Sequence, residues 1–230
     1  MFESSDPTRI PRVIAALERA WEGQPDLPLT TLMGILANRG ISWGASDDEL
    51  VDALAQLEAE HPATVEPTPP HDLTITTTDP ARAVTLSGGY AIVRDPQNPS
   101  AMPSVWRYES LRRTGPGRPL VIRDTESIEH RIGVVRLVSR LCMDRPLDGL
   151  HHGDVGGGAW LVAFEGGARA VVGRSITVWT PGRRDVDKRS LRWEQIASCG
   201  VGEQLRVVPA GGGEPSEIGL VERVVYLGEG

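Results

Sequence analysis

The stretch at residues 29–66 constrains the fold of this chain more than any other, because apolar residues recur in it at helical spacing. Within residues 29–39, and again after Ser46, apolar side chains stand three or four positions apart, which is typical of helices that bury one face. Gly40 ends the first helix. Ser46 and Glu49 form a capping box that starts the second. The stretch therefore predicts helix, turn, helix and a short extended tail.

Another helix is predicted before this stretch, at residues 8–22, so the two helices of the stretch are the second and third in chain order. Its apolar positions follow the 3.6-residue spacing and predict one buried face: Ile10, Val13, Ile14, Leu17 and Trp21. Three short helices cannot each bury a face alone, so we expect them to pack around one small core. A core of that size is marginal unless it also contacts the rest of the chain.

The net charge of −7 is concentrated in this helical segment. Residues 1–62 hold four arginines and eleven acidic residues, whereas the remaining residues hold 20 basic and 20 acidic side chains. Such an asymmetry indicates two units with different surfaces.

The order helix, helix, turn, helix and short strand over residues 8–66 resembles a winged helix-turn-helix. The resemblance is carried by LTTLMGILANRGIS, DDELVDALAQLEAEH and the following ATVE. It implies that the third helix enters the major groove of DNA. That helix, however, carries six carboxylates and no Lys or Arg, and duplex binding requires cations that neutralise phosphates. We therefore predict a solvated acidic face or an acidic docking face on this helix, with Asp47, Asp48 and Asp52 as the docking residues.

Four prolines, at positions 62, 67, 69 and 70, separate the helical segment from the remainder. They predict three parts: an acidic three-helix domain at residues 1–62, a Pro-rich linker at 63–71 and a β-rich domain at 72–230. Within the last part, turn-separated apolar runs predict strands at 72–78, 84–86, 90–93, 120–123, 159–164, 169–172, 175–180, 191–196, 205–209 and 220–227.

One helix is predicted within the β-rich part, at residues 126–143. The apolar residues at positions 128, 132, 135, 138 and 142 fit a helical stripe, although the paired valines there are also compatible with a strand. The predicted fold class is thus α+β: an acidic, winged-helix-like three-helix unit, then a mainly antiparallel β-rich body with one helix, arranged as a sheet, sandwich or partly open barrel.

Arginines interleaved with aromatic residues are the first candidate binding surface of the body. Arginine beside an aromatic ring is typical of contacts with nucleic acid or an acidic partner. These candidate arginines fall into two sequence groups: Arg107, Arg112 and Arg113, then Arg183, Arg184 and Arg189. Local acidic residues also predict ordinary surface pairing. A further alternative is intramolecular docking of the acidic helices on this basic body.

The sequence HHGD is the second candidate site, since imidazole and carboxylate groups suit a divalent metal ion. His151, His152 and Asp154 are the candidate ligands in a Gly-rich loop. They define an alternative function, a metal- or phosphate-dependent enzyme. An exposed polar loop is the simpler interpretation, because adjacent histidines in extended backbone point to opposite sides.

The remaining sequence features favour a role without catalysis. We find no motif that combines a nucleophile with a base, and we predict no cofactor. The N-terminal residues show neither a basic leader nor an apolar run, and Cys142 and Cys199 do not form a disulfide framework, so we expect a cytoplasmic protein. The resulting hypothesis is a protein-interaction or regulatory protein. The alternatives are a nucleic-acid-binding regulator that uses the arginines of the body, and the metal- or phosphate-dependent enzyme.

Overall fold

The computed structural model describes residues 6–141, 145–183 and 185–229. The chain divides into two compact units. The first unit comprises Met1–Asn98 and Val105–Arg140, and the second comprises Pro99–Ser104 and Leu141–Gly230. The domain boundary predicted at residues 63–71 does not coincide with this division, since the helical segment and the first six strands belong to one unit.

The first unit begins with three helices: α1 (Arg9–Glu22), α2 (Leu29–Asn38) and α3 (Asp47–Glu60). The capping box at α3 is present, with Ser46 Oγ accepting from the backbone N–H of Glu49 and the Glu49 carboxylate accepting from the backbone N–H of Ser46. The helices share a core of small and aliphatic residues: Ala16, Ala20, Leu32, Leu36, Ala53, Leu54 and Leu57.

Six strands of the same unit form a closed antiparallel barrel in sequential order. They are β1 (Leu73–Thr78), β2 (Arg82–Ser87), β3 (Tyr90–Arg94), β4 (Ser104–Leu111), β5 (Pro119–Asp124) and β6 (Glu129–Arg140). Closure follows from the length of β6, which pairs with β5 through its first half and with β1 through its second half. Aliphatic side chains from all six strands fill the interior, together with Val65 from the preceding segment.

The prediction of a helix at residues 126–143 is wrong, because residues 129–140 form strand β6. Its buried apolar residues, Ile132, Val135 and Val138, are three positions apart, which imitates a helical stripe. Two irregularities in the pairing produce this spacing. Ile132 is an extra residue against β5, and Arg136 is an extra residue against β1. Each bulge shifts the strand's two-residue alternation by one position.

The helical segment contacts the barrel within this unit. His61, the residue after α3, places its Nδ1 3.2 Å from the carbonyl oxygen of Val138 and 3.1 Å from Ser139 Oγ. In the loop before α2, the Asp26 carboxylate accepts from Arg136 Nε at 2.6 Å. These contacts supply the additional packing that a three-helix core of this size requires.

The second unit contains one antiparallel sheet of seven strands, in the order β10-β9-β8-β7-β13-β12-β11. The strands are β7 (Gly158–Phe164), β8 (Arg169–Val172), β9 (Ile176–Pro181), β10 (Val186–Leu191), β11 (Trp193–Ser198), β12 (Gln204–Pro209) and β13 (Ser216–Glu229). Only Arg192 joins β10 to β11, although these strands stand at opposite edges of the sheet. The two edges therefore meet at this corner, and the sheet curls around its core.

The core of this sheet explains which strands the sequence reveals. Trp160, Val162, Ile176, Val178 and Ile196 are among its buried residues, and the strands that carry them were predicted. β10 was not predicted, because every residue in it except Leu191 is exposed and its sequence has no apolar alternation.

No helix in the described part of the chain has the length and apolar character needed to cross a membrane. The class α+β and the antiparallel character of the body are confirmed.

Candidate functional site

Helix α1 presents a row of apolar side chains that its own unit does not cover. Ile10 and Ile14 are 55% and 56% exposed, and Trp21 is 36% exposed. Leu17 between them is half-buried. The predicted buried face of this helix is therefore wrong for Ile10, Ile14 and Trp21.

Packing against α3 explains this exposure. α1 turns Ala16 and Ala20 toward the core of the three helices, and these small residues are 3% and 0% exposed. Small side chains let two helices approach closely, so the larger side chains stand on a different face of α1. Arg19 Nε fixes this orientation by donating to Glu58 of α3 at 3.0 Å, and Arg9 pairs with Asp47.

A groove of about 610 Å³ lies along this exposed face. Its lining residues are Ile14, Leu17, Glu18, Trp21, Glu22 and Pro25. The indole Nε1 of Trp21 donates to the carbonyl oxygen of Leu27 at 2.7 Å, which holds the ring in place at the end of the groove. Neither Glu18 nor Glu22 has an ion-pair partner among the residues that the structure describes. We call the surface formed by Ile10 and these six lining residues the α1 groove.

Sequence reasoning missed the α1 groove although a signal was present. The helix has two apolar rows, one of large residues at 10, 14, 17 and 21 and one of alanines at 16 and 20. Only one of the rows can face the small core, and helical periodicity alone favours the larger side chains for that role. Two apolar rows on one short helix indicate two contact surfaces.

The predicted acidic face on α3 is partly used inside the helical segment. Asp47 pairs with Arg9, and Asp48 stands in the first turn, where a carboxylate complements the helix dipole. Asp52 is exposed. Docking of a partner on these three residues stays a prediction.

The predicted arginine groups lie in different compact units. In the first unit, Arg107 Nε donates to the Tyr90 hydroxyl at 2.9 Å, and this hydrogen bond raises the pKa of the guanidinium. Arg112 donates to the Glu129 carboxylate at 2.7 Å, which lowers the pKa of Glu129. Arg113 pairs with Glu66 at 3.2 Å.

In the second unit, Arg183 and Arg189 are exposed. Arg184 lies outside the described residues. The three described arginines of the first unit thus have local partners, as ordinary surface pairing predicts. Nucleic-acid contact by either group stays a prediction.

The HHGD loop has a geometry that differs from a ligand cluster. His152 Nε2 lies 3.0 Å from the carbonyl oxygen of Arg174, and the ring meets Trp193 edge-on at 5.3 Å between centroids. His151 forms an isolated bridge with Gln195 of β11. Across residues 6–141, 145–183 and 185–229, no three His, Cys, Asp or Glu side chains are grouped so that they could hold a metal ion. Metal binding by His151, His152 and Asp154 stays a prediction without support from this geometry.

Cys199 is a buried free thiol in the second unit. Burial, together with the nearby Asp148 carboxylate, raises the pKa of this thiol to about 12. Its thiolate is therefore scarce at neutral pH, so the side chain packs as a small apolar residue. Cys142, the second cysteine, lies outside the described residues.

Comparisons with models of known protein families, with curated protein sequences and with solved structures found no match to this chain. The proposal for its function therefore depends on the chemistry of its surfaces.

Proposed function

We propose that this protein is a non-catalytic protein-interaction protein whose α1 groove receives an amphipathic helix with basic flanks from a partner protein. The observation that carries this proposal is the exposed apolar row of α1 beside two carboxylates that form no ion pair with any described residue. A contiguous apolar surface edged by polar groups is typical of interaction sites, because water exposure of such a patch is unfavourable.

The spacing of the row favours a helical partner. Ile10, Ile14, Leu17 and Trp21 recur every three or four residues along one face of α1. Side chains with this spacing form ridges that fit between the side chains of a second helix. Trp21 supplies a large ring that is already held by its hydrogen bond to Leu27, so little side-chain entropy is lost when a partner packs on it.

The negative charge of the α1 groove restricts which helices can bind it. Glu18 and Glu22 line the groove, and the surrounding segment carries the whole net charge of the chain. A second copy of this chain would bring like charges together at the groove, which disfavours self-association through it. A helix with Lys or Arg beside its apolar stripe would instead pair with both carboxylates.

Ion pairs between acidic residues near the helices and arginines of the barrel support intramolecular docking, which does not involve the α1 groove. Asp26 of this segment pairs with Arg136, and Glu66, which follows the segment in the linker, pairs with Arg113 at 3.2 Å. These pairs use acidic residues outside the α1 groove, so they leave Glu18 and Glu22 available for a partner.

The test is binding of two labelled synthetic helices to the full chain, measured by fluorescence anisotropy. One helix carries a leucine stripe with lysine flanks, and the other carries the same stripe with glutamate flanks. We expect the lysine helix to bind and its affinity to fall with added salt, since the flanking charges are exposed. The double variant Glu18→Lys, Glu22→Lys should reverse the preference toward the glutamate helix.

A matched pair of variants locates the binding surface. Ile14 and Ile128 are 56% and 53% exposed, and Ile128 lies in the barrel, before β6. Ile14→Asp should weaken binding of the lysine helix at least about tenfold, which is the scale of losing an apolar contact at a groove centre, whereas Ile128→Asp should leave it unchanged. Equal binding by the two variants, or no binding of the lysine helix to the unmodified chain, would refute the proposal.

A further inference from the structure

A short proline-containing segment lies against the sheet of the second unit. Residues Pro99–Ser104 follow β3 in the sequence, yet they belong to the second unit. We call these six residues the strap. Pro103 of the strap is buried, whereas Ser100 and Ala101 are exposed. The strap therefore contacts the sheet at a few points, and backbone groups supply two of them, as follows.

Trp179 of β9 is the first contact of the strap. Its neighbour Val178 belongs to the core of the sheet, so the indole ring stands on the opposite, outer face. Trp179 is nevertheless only 3% exposed, and its Nε1 donates to the carbonyl oxygen of Ser100 at 3.0 Å. Surfaces that recognise extended proline-containing peptides typically present an aromatic ring in this way.

Two cations flank Trp179 on the outer face. Arg169 of β8 and Lys188 of β10 stand directly opposite it on the two neighbouring strands, so the three side chains form one row on the same face. Arg169 donates to the carbonyl oxygen of Pro103, and Lys188 is exposed. Neither cation forms an ion pair with a residue that the structure describes. Partial burial lowers the pKa of Arg169, because desolvation disfavours the charged guanidinium.

The strap is an incomplete partner for this row. A half-buried guanidinium is stabilised more by a carboxylate than by a neutral carbonyl oxygen, since the hydrogen bond to a carboxylate is assisted by opposite charge. The strap offers Arg169 only the carbonyl oxygen of Pro103. A segment with the same proline and carbonyl groups, and with a carboxylate beside them, would therefore make stronger contacts than the strap makes.

We propose that the row formed by Arg169, Trp179 and Lys188 binds an extended, acidic, proline-containing peptide of a partner protein, in competition with the strap. The proline of the peptide lies where Pro103 lies in this structure, and a backbone carbonyl accepts from Trp179. A carboxylate next to that proline pairs with Arg169. The strap is tethered at both ends, so its high effective concentration opposes the peptide. This surface belongs to the second unit and shares no residue with the α1 groove.

The probes are two labelled peptides with the sequence of residues 96–105 and blocked ends. One carries Ser104→Asp and the other carries Ser104→Lys, so they differ only in the charge beside the proline. Binding to the full chain is measured by fluorescence anisotropy and by the shift of the Trp179 indole N–H signal in nitrogen–proton NMR spectra. We expect the aspartate peptide to move this signal and to bind at least about tenfold more tightly than the lysine peptide. Equal binding of the two peptides would overturn the proposal.

A change in the strap tests the competition. Pro99 is exposed, and Pro99→Gly gives this end of the strap more backbone freedom when it is released. The strap should then occupy the row less often, so the aspartate peptide should bind about threefold more tightly than to the unmodified chain. Unchanged affinity, or no binding of the aspartate peptide to the folded Pro99→Gly chain, would show that the strap is not a competitor for a peptide site.

A matched pair of arginine variants locates the carboxylate. Arg169→Gln should remove most of the preference for the aspartate peptide, because the side chain keeps a donor but loses its charge. Arg174→Gln, an exposed change of the same kind in the turn between β8 and β9, is the control and should retain the preference. If Arg169→Gln disturbs folding, Lys188→Gln replaces it, since Lys188 is exposed and should account for part of the preference. An undiminished preference in the folded Arg169→Gln or Lys188→Gln chain would contradict the proposal.

Discussion

Replacement of Gly23 by alanine tests how closely the end of α1 packs against the end of α3. A Cβ at this position would lie 1.9 Å from the carbonyl oxygen of His61 and 3.1 Å from its carbonyl carbon. Gly23 itself has ordinary helical backbone angles, with φ −66° and ψ −22°, so alanine can adopt its conformation without strain. The predicted effect therefore comes from the clash alone.

The magnitude follows from comparison with a second glycine. Gly34 lies within α2, and a Cβ there would have no neighbour within 4 Å. Gly34→Ala should stabilise the protein by about 0.5–1 kcal/mol, because alanine loses less backbone entropy on folding. Gly23→Ala has the same gain in backbone entropy. However, α1 and the residue after α3 must move about 1 Å apart to relieve the clash with the His61 carbonyl oxygen, and overpacking of this kind costs about 3 kcal/mol. The net loss for Gly23→Ala is about 2 kcal/mol.

Urea unfolding followed by circular dichroism at the helical minimum measures both changes, since the described α-helices all belong to the first unit. The two variants carry the same chemical substitution, so they should shift the midpoint in opposite directions. If Gly23→Ala is as stable as the unmodified protein, then α1 does not pack against the backbone after α3 as described.

Three further changes have simpler expectations. Ser46→Ala removes the side-chain cap of α3 and should lower the free energy of unfolding by about 1 kcal/mol in the same urea assay. Glu60→Gln removes a bidentate contact with Arg39 and should lower the free energy of unfolding by about 0.5 kcal/mol near neutral pH. The contact lowers the pKa of Glu60. The difference in stability between variant and unmodified protein should therefore vanish in acid, as pH falls through that lowered pKa. In a Cys142→Ser background, iodoacetamide should label Cys199 much more slowly in the folded protein than in concentrated guanidinium chloride. The free energy of unfolding should also fall as pH rises above about 8.5, because the unfolded chain releases the thiol proton that the folded protein retains.

Local signals predicted the start of α3 and the end of α2 well, because both depend on short-range chemistry. The capping box at Ser46 and Glu49 and the stop at Gly40 depend on neighbouring residues alone, and the structure has both. The choice of the buried face of α1 depends on α3, which contacts it across about 40 residues of sequence, as in the pairs Arg19–Glu58 and Arg9–Asp47. Periodicity shows that a helix has apolar faces but does not show which face the neighbour selects.

The candidate sites were harder to predict for the same reason. The α1 groove carries no motif, and it forms only because α3 packs against the alanines of α1 and leaves Ile10 and Ile14 exposed. By contrast, the arginines beside aromatic residues formed a visible pattern, but Arg107 and Arg112 make local contacts in the barrel. A sequence pattern of charges therefore says less about binding than the count of partners each group has after folding.

The bulge at Arg136 connects the error at β6 with the contact between the barrel and the loop before α2. In an uninterrupted strand, side chains two positions apart point to the same side, so Arg136 would share the barrel interior with Val138. A guanidinium without a partner in that apolar core would be very unfavourable. The extra residue reverses the alternation, which sends Val135 inward at 1% exposure and leaves Arg136 outside, where it reaches Asp26. The feature that imitates a helix in the sequence is thus the one that keeps the barrel core apolar and leaves Arg136 outside, where it pairs with Asp26.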